Sequence, residues 1–263
     1  MTAPVPPASS PRTRRSAGRA LAGLVGELLM IGGAFAIGFV VWQMWWTDFQ
    51  GERDQLEALA DLRGGAIAAA AAPDAVAPPQ DGAAPTDDFA GDFAQGDPIA
   101  VLHVPVFGRE DGTDWQRGVY EGVSWADVLN TLGVGHYPDT QMPGEPGNFG
   151  VAAHRTTYGK PFANIDWLVE GDPIVVESER YWYVYEVSDV QILLPWETEA
   201  LAPVPGDRTW QEKPSASIVT LTSCHPKTFS THRYVVHGEL QYWALKSEGV
   251  PAELAGLAPQ EAA

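Results

Sequence analysis

One apolar stretch constrains the fold of this chain more than any other feature. From Leu28 to Trp46 it runs for nineteen residues, and Gln43 is the only strongly polar side chain among them. As a helix this run extends about 28 Å, close to the ~30 Å hydrocarbon core of a bilayer. It ends in a cluster of tryptophans, the residue type that collects where a membrane meets water. We therefore predict a single transmembrane anchor over residues 21–47.

The distribution of charge predicts the orientation of that anchor. Residues 1–20 carry four arginines and no acidic residue, whereas the whole chain has 16 basic and 34 acidic residues and a net charge of −18. The positive-inside rule then places residues 1–20 in the cytoplasm and residues 48–263 outside the cell membrane. A chain with this much negative charge would repel nucleic-acid phosphates, so we predict no nucleic-acid partner.

A cleaved signal peptide is the alternative interpretation of the same stretch. Signal peptides have a shorter apolar core, of about 7–15 residues, followed at once by a small-residue cleavage site. Here the nearest Ala-x-Ala sequence, Ala58–Ala60, lies well beyond the apolar run. An uncleaved anchor therefore fits the pattern better.

Two segments are predicted to lack a fold of their own. Residues 48–97 are acidic and, from Gly64 onward, rich in alanine and proline with few large apolar side chains, so we interpret them as a disordered extracellular linker. Within this segment Leu56, Leu59 and Leu62 have helical spacing, which allows the membrane helix to continue for a few turns. Residues 247–263 are predicted to form a loose C-terminal tail.

Residues 98–246 have the pattern of an all-β domain. Short runs rich in β-branched and aromatic residues alternate with glycine and proline turns, and the clearest helix signal is Ser124–Leu132, with Ser124 as N-cap. Regular short strands with few short helices favour a closed β-barrel. The predicted strands are Ile99–Phe107, Phe149–Ala153, Pro173–Glu177, Tyr181–Val187, Val190–Leu194, Ser217–Ser223 and Arg233–Tyr242.

Three reactive side chains lie at the ends of predicted strands. His154 follows one apolar strand, Cys224 ends another, and Arg233 begins a third. A thiol, an imidazole and a guanidinium at one rim of a barrel could form a nucleophilic site. Each residue also has a structural interpretation, as a small core cysteine, a hydrogen-bonded histidine or a solvated arginine. The spacing alone leaves both interpretations open.

The single cysteine limits the cofactors that the chain can hold. With Cys224 alone, neither an intrachain disulfide nor a multi-thiolate metal site can form. The nearby His225, His232 and His237 match no zinc-binding spacing, and a metal there would block the thiol. We predict no metal and no cofactor.

The local sequence around these residues resembles a known family. Thr220-Leu-Thr-Ser-Cys224 resembles the Thr-Leu-x-Thr-Cys signature of sortases, the cysteine transpeptidases that anchor proteins to Gram-positive cell walls. Residues 135–148 and His154-Arg-Thr-Thr-Tyr-Gly-Lys-Pro-Phe162 resemble the family's long central motif, and Arg233-Tyr-Val-Val236 its end. The resemblance covers residues 98–243 and is most similar to class E sortases of actinobacteria. Ser223, where threonine is usual, and Ala153, where glycine is common, are mild departures.

The resemblance implies a function and roles for the three residues. Cys224 would attack the threonine carbonyl of a Leu-Pro-x-Thr-Gly or Leu-Ala-x-Thr-Gly sorting signal on a surface protein, as in a thiol protease. His154 would act as general acid and base, and Arg233 would stabilise the oxyanion or hold the substrate. The acceptor would be an amine of the cell-wall precursor lipid II or, in a pilin-polymerising sortase, a pilin lysine.

The resemblance also suggests candidate substrate-binding residues. The Tyr158 hydroxyl would help to select alanine over proline in the signal. Ser223 and His225 flank the cysteine, and the backbone N–H of His225 would be a second oxyanion donor.

Other functions fit the sequence less well. L,D-transpeptidases carry a Ser-His-Gly-Cys-x-Arg motif that is absent around Cys224, and papain-like peptidases place cysteine before histidine. A catalytically inactive sortase-like binding module is the non-enzymatic alternative. The presence of His154, Cys224 and Arg233 together favours an enzyme.

Overall fold

The computed structural model describes residues 17–70, 75–227 and 229–259. Most of the predicted cytoplasmic segment, with Arg12, Arg14 and Arg15, lies outside the described residues, as do residues 260–263 of the predicted tail. Within the described chain, a long N-terminal helix precedes a closed barrel of eight strands. The chain forms two compact units whose boundary lies between Trp45 and Trp46.

Helix α1 runs from Ala17 to Gly64 without interruption. From Leu21 onward it is long and apolar enough to cross a membrane. Apolar side chains of this stretch, including Leu29, Met30 and Phe35, are exposed. The helix continues well past the tryptophan cluster, as the spacing of the later leucines allows.

The barrel is closed by the strand order β1-β3-β4-β5-β8-β9-β7-β6. The pairs β3–β4 and β5–β8 are parallel and the other pairs are antiparallel. A separate parallel pair joins β2 to β10. The strands are β1 Pro98–His103, β2 Thr113–Asp114, β3 Gln116–Glu121, β4 Val134–His136, β5 Gly147–Ala152, β6 Pro173–Glu177, β7 Tyr181–Leu193, β8 Ser217–His225, β9 His232–Leu245 and β10 Ala258–Pro259.

The remaining helical elements are single turns in the connections. Trp125–Leu129 is a π-helical turn, and the 3-10 turns are Asp87–Phe89, Pro105–Gly108, Ile165–Trp167, Thr198–Leu201 and Lys246–Glu248. The core inside the barrel is built from apolar side chains of nearly every strand, among them Leu102, Phe149, Leu221 and Val236. Because β5, β8 and β9 are buried between neighbours on both sides, their ends are held rigidly.

The predicted fold class, an all-β closed barrel with few short helices, is confirmed. Tyr181–Val187 and Val190–Leu194 join into the single strand β7, which has a bulge between Val187 and Asp189. The helix predicted over Ser124–Leu132 is only the π-helical turn, and the Ser124 hydroxyl bonds to the Asp127 carboxylate at 2.8 Å rather than to the backbone.

The prediction of a disordered linker over residues 48–97 is wrong for its described part. Leu56, Leu59 and Leu62 are buried, and the last two pack in one apolar cluster with barrel residues. Phe89 joins the main core and lies 6.0 Å from the Tyr183 ring. The few apolar residues that are buried in this segment, such as Leu59, Leu62 and Phe89, pack against the barrel, which average composition does not reveal.

The predicted loose tail is likewise wrong for residues 247–259. Leu254 is buried in a cluster with Trp182, and the backbone N–H of Ala77 donates to the Val250 carbonyl at 2.8 Å. Strand β10, Ala258–Pro259, pairs with β2. The segments before and after the barrel therefore bind each other and its surface.

Candidate active site

Strands β8 and β9 place the cysteine and the arginine side by side. Cys224 and Arg233 are cross-strand partners in the antiparallel ladder. Directly opposed residues of a ladder project from the same face of the sheet, with Cβ atoms about 5 Å apart. The only cysteine of the chain and Arg233 therefore project from the same face of the sheet.

Strand β5 brings His154 to the same end of the barrel. β5 runs parallel to β8 with Ala152 opposite Thr222, and the Ala153 N–H donates to the Thr222 carbonyl at 3.3 Å. Two residues further along each parallel strand lie His154 and Cys224. The histidine, cysteine and arginine thus occupy the same end of three consecutive strands, as the sequence predicts for a site at the barrel rim.

The imidazole of His154 is held by three neighbouring side chains. Its Nε2 lies 2.7 Å from the Asn130 amide Oδ1, and its ring packs 5.3 Å from Tyr158 and 5.9 Å from Trp125. Because an amide oxygen only accepts, Nε2 donates and Nδ1 is the nitrogen left to exchange a proton. Partial burial lowers the pKa of His154, since the charged form loses hydration.

A tyrosine lies beside the cysteine and arginine. The Tyr137 hydroxyl is 3.0 Å from the hydroxyl of Thr222, which lies two residues before Cys224 on β8. The pKa of Tyr137 is raised, mainly by burial and also by the nearby Cys224. The hydrogen bond to Thr222 and the positive charge of Arg233 partly lower it. The Tyr137 phenol is therefore close enough to Arg233 and Cys224 for both to affect its pKa.

The guanidinium of Arg233 is fixed by its own hairpin loop. Its Nη1 donates to the carbonyls of Ser230 at 3.2 Å and His232 at 3.0 Å. Two bonds from one nitrogen orient the planar group while the charge itself stays constant at all relevant pH values.

A second arginine lies behind the cysteine strand. Arg155 is 4% exposed, and its Nη1 donates to the Cys224 carbonyl at 3.2 Å and to His225 Nδ1 at 2.9 Å. Its Nη2 pairs with Asp166 at 3.0 Å. Since a guanidinium only donates, His225 accepts at Nδ1 and is neutral. Burial, together with the charge of Arg155, lowers the pKa of His225.

The structure separates the predicted substrate-binding residues into two groups. Tyr158 lies against His154, as the resemblance suggests. Ser223 and His225 alternate with Cys224 along β8, so their side chains project from the opposite face. The Ser223 hydroxyl donates to the Ala153 carbonyl at 2.8 Å and ties β8 to β5. Substrate contact by Ser223 and His225 stays a prediction.

Four contributors to the site were missed by sequence reasoning: Trp125, Asn130, Tyr137 and Arg155. Arg155 could have been found, because it directly follows His154 in the central motif. Tyr137 could also have been found, because it lies in the motif of residues 135–148. Trp125 and Asn130 come from the segment before β4, and no local pattern marks them. Among the described residues, no group of three or more His, Cys, Asp or Glu side chains is arranged to hold a metal ion.

Comparisons with known proteins agree with this geometry. A family model described as "Sortase domain" matches residues 107–241. Sortase SrtE2 of Streptomyces coelicolor is 36% identical over 242 residues, covering 87% of each chain. Sortase SrtE1 of the same organism is 32% identical over 88% of this chain, which spans 60% of that longer protein. Among solved structures, the SrtA sortase from Actinomyces oris matches with a TM-score of 0.60 and 34% identity, covering 67% of this chain and 96% of that one.

Proposed function

The chain belongs to the sortase family and is similar to class E sortases, and from this premise we propose that it is a cysteine transpeptidase anchored in the cell membrane. The observation that carries the proposal is the convergence of His154, Cys224 and Arg233 at one end of β5, β8 and β9. The proposed substrate is a surface protein with a Leu-Ala-x-Thr-Gly or Leu-Pro-x-Thr-Gly sorting signal.

In the first half of the proposed reaction, the Cys224 thiolate attacks the threonine carbonyl of the signal. Arg233 stabilises the oxyanion that forms, because its guanidinium is fixed and always charged. The Thr–Gly bond then breaks, and His154, as imidazolium, gives its Nδ1 proton to the departing glycine amine. A thioester between Cys224 and the threonine carbonyl remains.

In the second half, an amine of the cell-wall precursor attacks the thioester carbonyl. Neutral His154 takes the amine proton, the new amide bond forms, and the Cys224 thiolate is released. Partial burial lowers the pKa of His154, so the neutral form is the abundant one near pH 7. The lipid II stem amine is the proposed acceptor, with water giving hydrolysis and a pilin lysine giving polymerisation.

The proposed topology places residues 1–20 in the cytoplasm and the barrel outside the cell. It is supported by the long apolar part of α1 and by the arginines that precede it.

A cleavage assay tests the proposal. The full chain in detergent micelles is incubated with Leu-Ala-x-Thr-Gly or Leu-Pro-x-Thr-Gly peptides, with and without a lipid II stem peptide or a lysine peptide. We expect cleavage between threonine and glycine, and a new peptide bond to the acceptor that is used. A Cys224→Ala chain that retains either product would refute the proposal.

A further inference from the structure

In the part of α1 that follows the apolar stretch, the helix backbone at Gly51 touches the backbone of the loop after His154. A Cβ at Gly51 would lie 2.5 Å from the carbonyl carbon of Tyr158 and 2.8 Å from the Gly159 nitrogen. A Cβ at Gly159 would lie 2.8 Å from the backbone nitrogen of Glu52. Glycine in the middle of a helix is destabilising by about 1 kcal/mol relative to alanine. Here it allows the helix and the loop to touch.

The loop in contact with α1 has an unusual backbone. Tyr158, Gly159 and Lys160 have φ values of 53°, 71° and 38°, all in the left-handed region. For a residue with a side chain this conformation is strained and persists only where the surroundings hold it. Lys160 is held by an ion pair to Asp48 of α1 at 2.8 Å. The helix supplies that restraint at the place where Tyr158 must turn toward His154.

A buried glutamine of the same helix fixes the loop a second time. Gln55 has no exposed surface, and its Nε2 donates to the Tyr158 carbonyl at 2.7 Å. Its Oε1 accepts from Arg117 Nε at 3.3 Å. The Gln55 side chain also packs so closely on Gly133 that a Cβ there would lie 2.9 Å from the Gln55 amide carbon. Gly133 follows Asn130, the hydrogen-bond partner of His154, by three residues.

The apolar face of α1 holds the turn that carries this asparagine. Leu59 and Leu62 lie in one buried cluster with Val128 and Leu129 of the π-helical turn, and Asn130 follows that turn directly. Tyr158, which packs on the His154 ring, and Asn130, which is its hydrogen-bond partner, therefore both depend on contacts with one segment of helix.

We propose that Gly51 and Gln55 are positioning residues for His154. They hold the Tyr158 loop and the Asn130 turn in place, so that Tyr158 packs on the imidazole and Asn130 bonds to it. The catalytic role of these residues rests on the proposed function, whereas their effect on the His154 environment can be tested without any substrate. Residues 48–64 then help to position the active site and do not merely connect it to the membrane helix.

The test compares Gly51→Ala with Gly64→Ala in the full chain in detergent micelles. A Cβ at Gly64 meets nothing within 4 Å, so this change alters the same helix without touching the loop. The pKa of His154 is measured by NMR of histidine-labelled protein, with His154→Gln to assign the signal, alongside kcat/KM on the Leu-Ala-x-Thr-Gly peptide. For Gly51→Ala we expect the pKa of His154 to rise toward its ordinary value, because the ring loses its cover, and kcat/KM to fall at least tenfold. Gly64→Ala should match the wild type in both.

Gln55→Met is the second variant, for the case that Gly51→Ala fails to fold. It keeps the length of the side chain but removes the donor to Tyr158, and about 1 kcal/mol of lost bonding corresponds to a fivefold fall in kcat with little change in KM. Titration and rates for Gly51→Ala that match those of Gly64→Ala would overturn the inference; if Gly51→Ala does not fold, wild-type values for Gln55→Met would do so. A wild type that cleaves neither peptide, combined with a shifted His154 titration in Gly51→Ala, would refute the proposed function and leave the positioning role standing.

Discussion

Cys224 and Arg233 face each other across the β8–β9 ladder, Cys224 one residue before the end of β8 and Arg233 one residue after the start of β9. This pairing is fixed by backbone hydrogen bonds, so the two residues project from the same face of the sheet. His154 reaches the same end from β5, on the other side of β8. The proposed reaction needs these three groups together, and strand register brings their backbones to one end of the barrel.

Arg233→Lys should lower kcat/KM for sorting-signal peptides by at least a hundredfold. A lysine ammonium cannot reproduce the planar group that the Ser230 and His232 carbonyls orient, and so cannot place donors at the developing oxyanion. Arg208→Lys is the matched control, because Arg208 is largely exposed and pairs only with Glu199 among described contacts. Steady-state rates decide this prediction, and turnover of Arg233→Lys within threefold of the wild type would remove Arg233 from its assigned role.

A chain that begins at Asp97 should be unstable, whereas a chain that begins at Trp46 should be soluble and active. The shorter chain exposes the barrel surfaces that Leu59, Leu62 and Phe89 cover, and burial of each such side chain contributes about 1.5–3 kcal/mol. That loss is comparable to the whole stability of a typical domain. Thermal unfolding and peptide cleavage of both chains provide the test. Equal stability and activity would restore the interpretation of residues 48–97 as a passive linker.

Tyr158→Phe should narrow the preference for Leu-Ala-x-Thr-Gly over Leu-Pro-x-Thr-Gly. Alanine offers a backbone N–H that proline lacks, and a hydroxyl beside His154 can accept it, which is worth about 1 kcal/mol or roughly fivefold in rate. Tyr242→Phe serves as control, since its hydroxyl bonds to Glu253 away from the site. The ratio of kcat/KM values for the two peptides is the readout. An unchanged ratio in Tyr158→Phe would assign the tyrosine to packing alone.

The free energy of unfolding should fall as the pH is lowered from about 6.5 to about 4 because of His237. Thr220 donates its hydroxyl proton to Asn148 and so accepts from the Nδ1–H of His237, and burial of the imidazole favours its neutral form. Burial lowers the pKa of His237 to about 4. Between that value and the unfolded value of about 6.5 the unfolded chain binds the extra proton, which removes up to about 3 kcal/mol of stability.

His237→Asn is the control for this pH dependence, because asparagine keeps a donor near Nδ1 but does not titrate. Denaturant unfolding at several pH values should give a shallower slope for the variant than for the wild type. Parallel slopes over this pH range would show that His237 does not contribute.

The sequence predicts the barrel and its reactive end well because both depend on local patterns. The apolar strands are contiguous in the sequence, and so are the motifs around His154, Cys224 and Arg233. Each can therefore be recognised on its own. Strands β3 and β4 were missed, because Gln116–Glu121 and Val134–His136 lack a long run of β-branched and aromatic residues.

The support of the site could not be predicted in the same way. Asn130 contacts His154 from 24 residues away, and Gln55 contacts Tyr158 from 103 residues away. Such contacts depend on where tertiary packing places a segment. The acidic, alanine-rich composition around residues 48–97 hid the few buried side chains that secure it to the barrel.

The most direct test of the central claim is intact-protein mass spectrometry of the full chain during turnover of a Leu-Ala-x-Thr-Gly peptide. The account predicts a covalent adduct on Cys224 with the mass of the peptide up to threonine, which disappears when an amine acceptor is added and never forms in Cys224→Ala. Cleavage of the peptide by Cys224→Ala, or an adduct mapped to another residue, would contradict it.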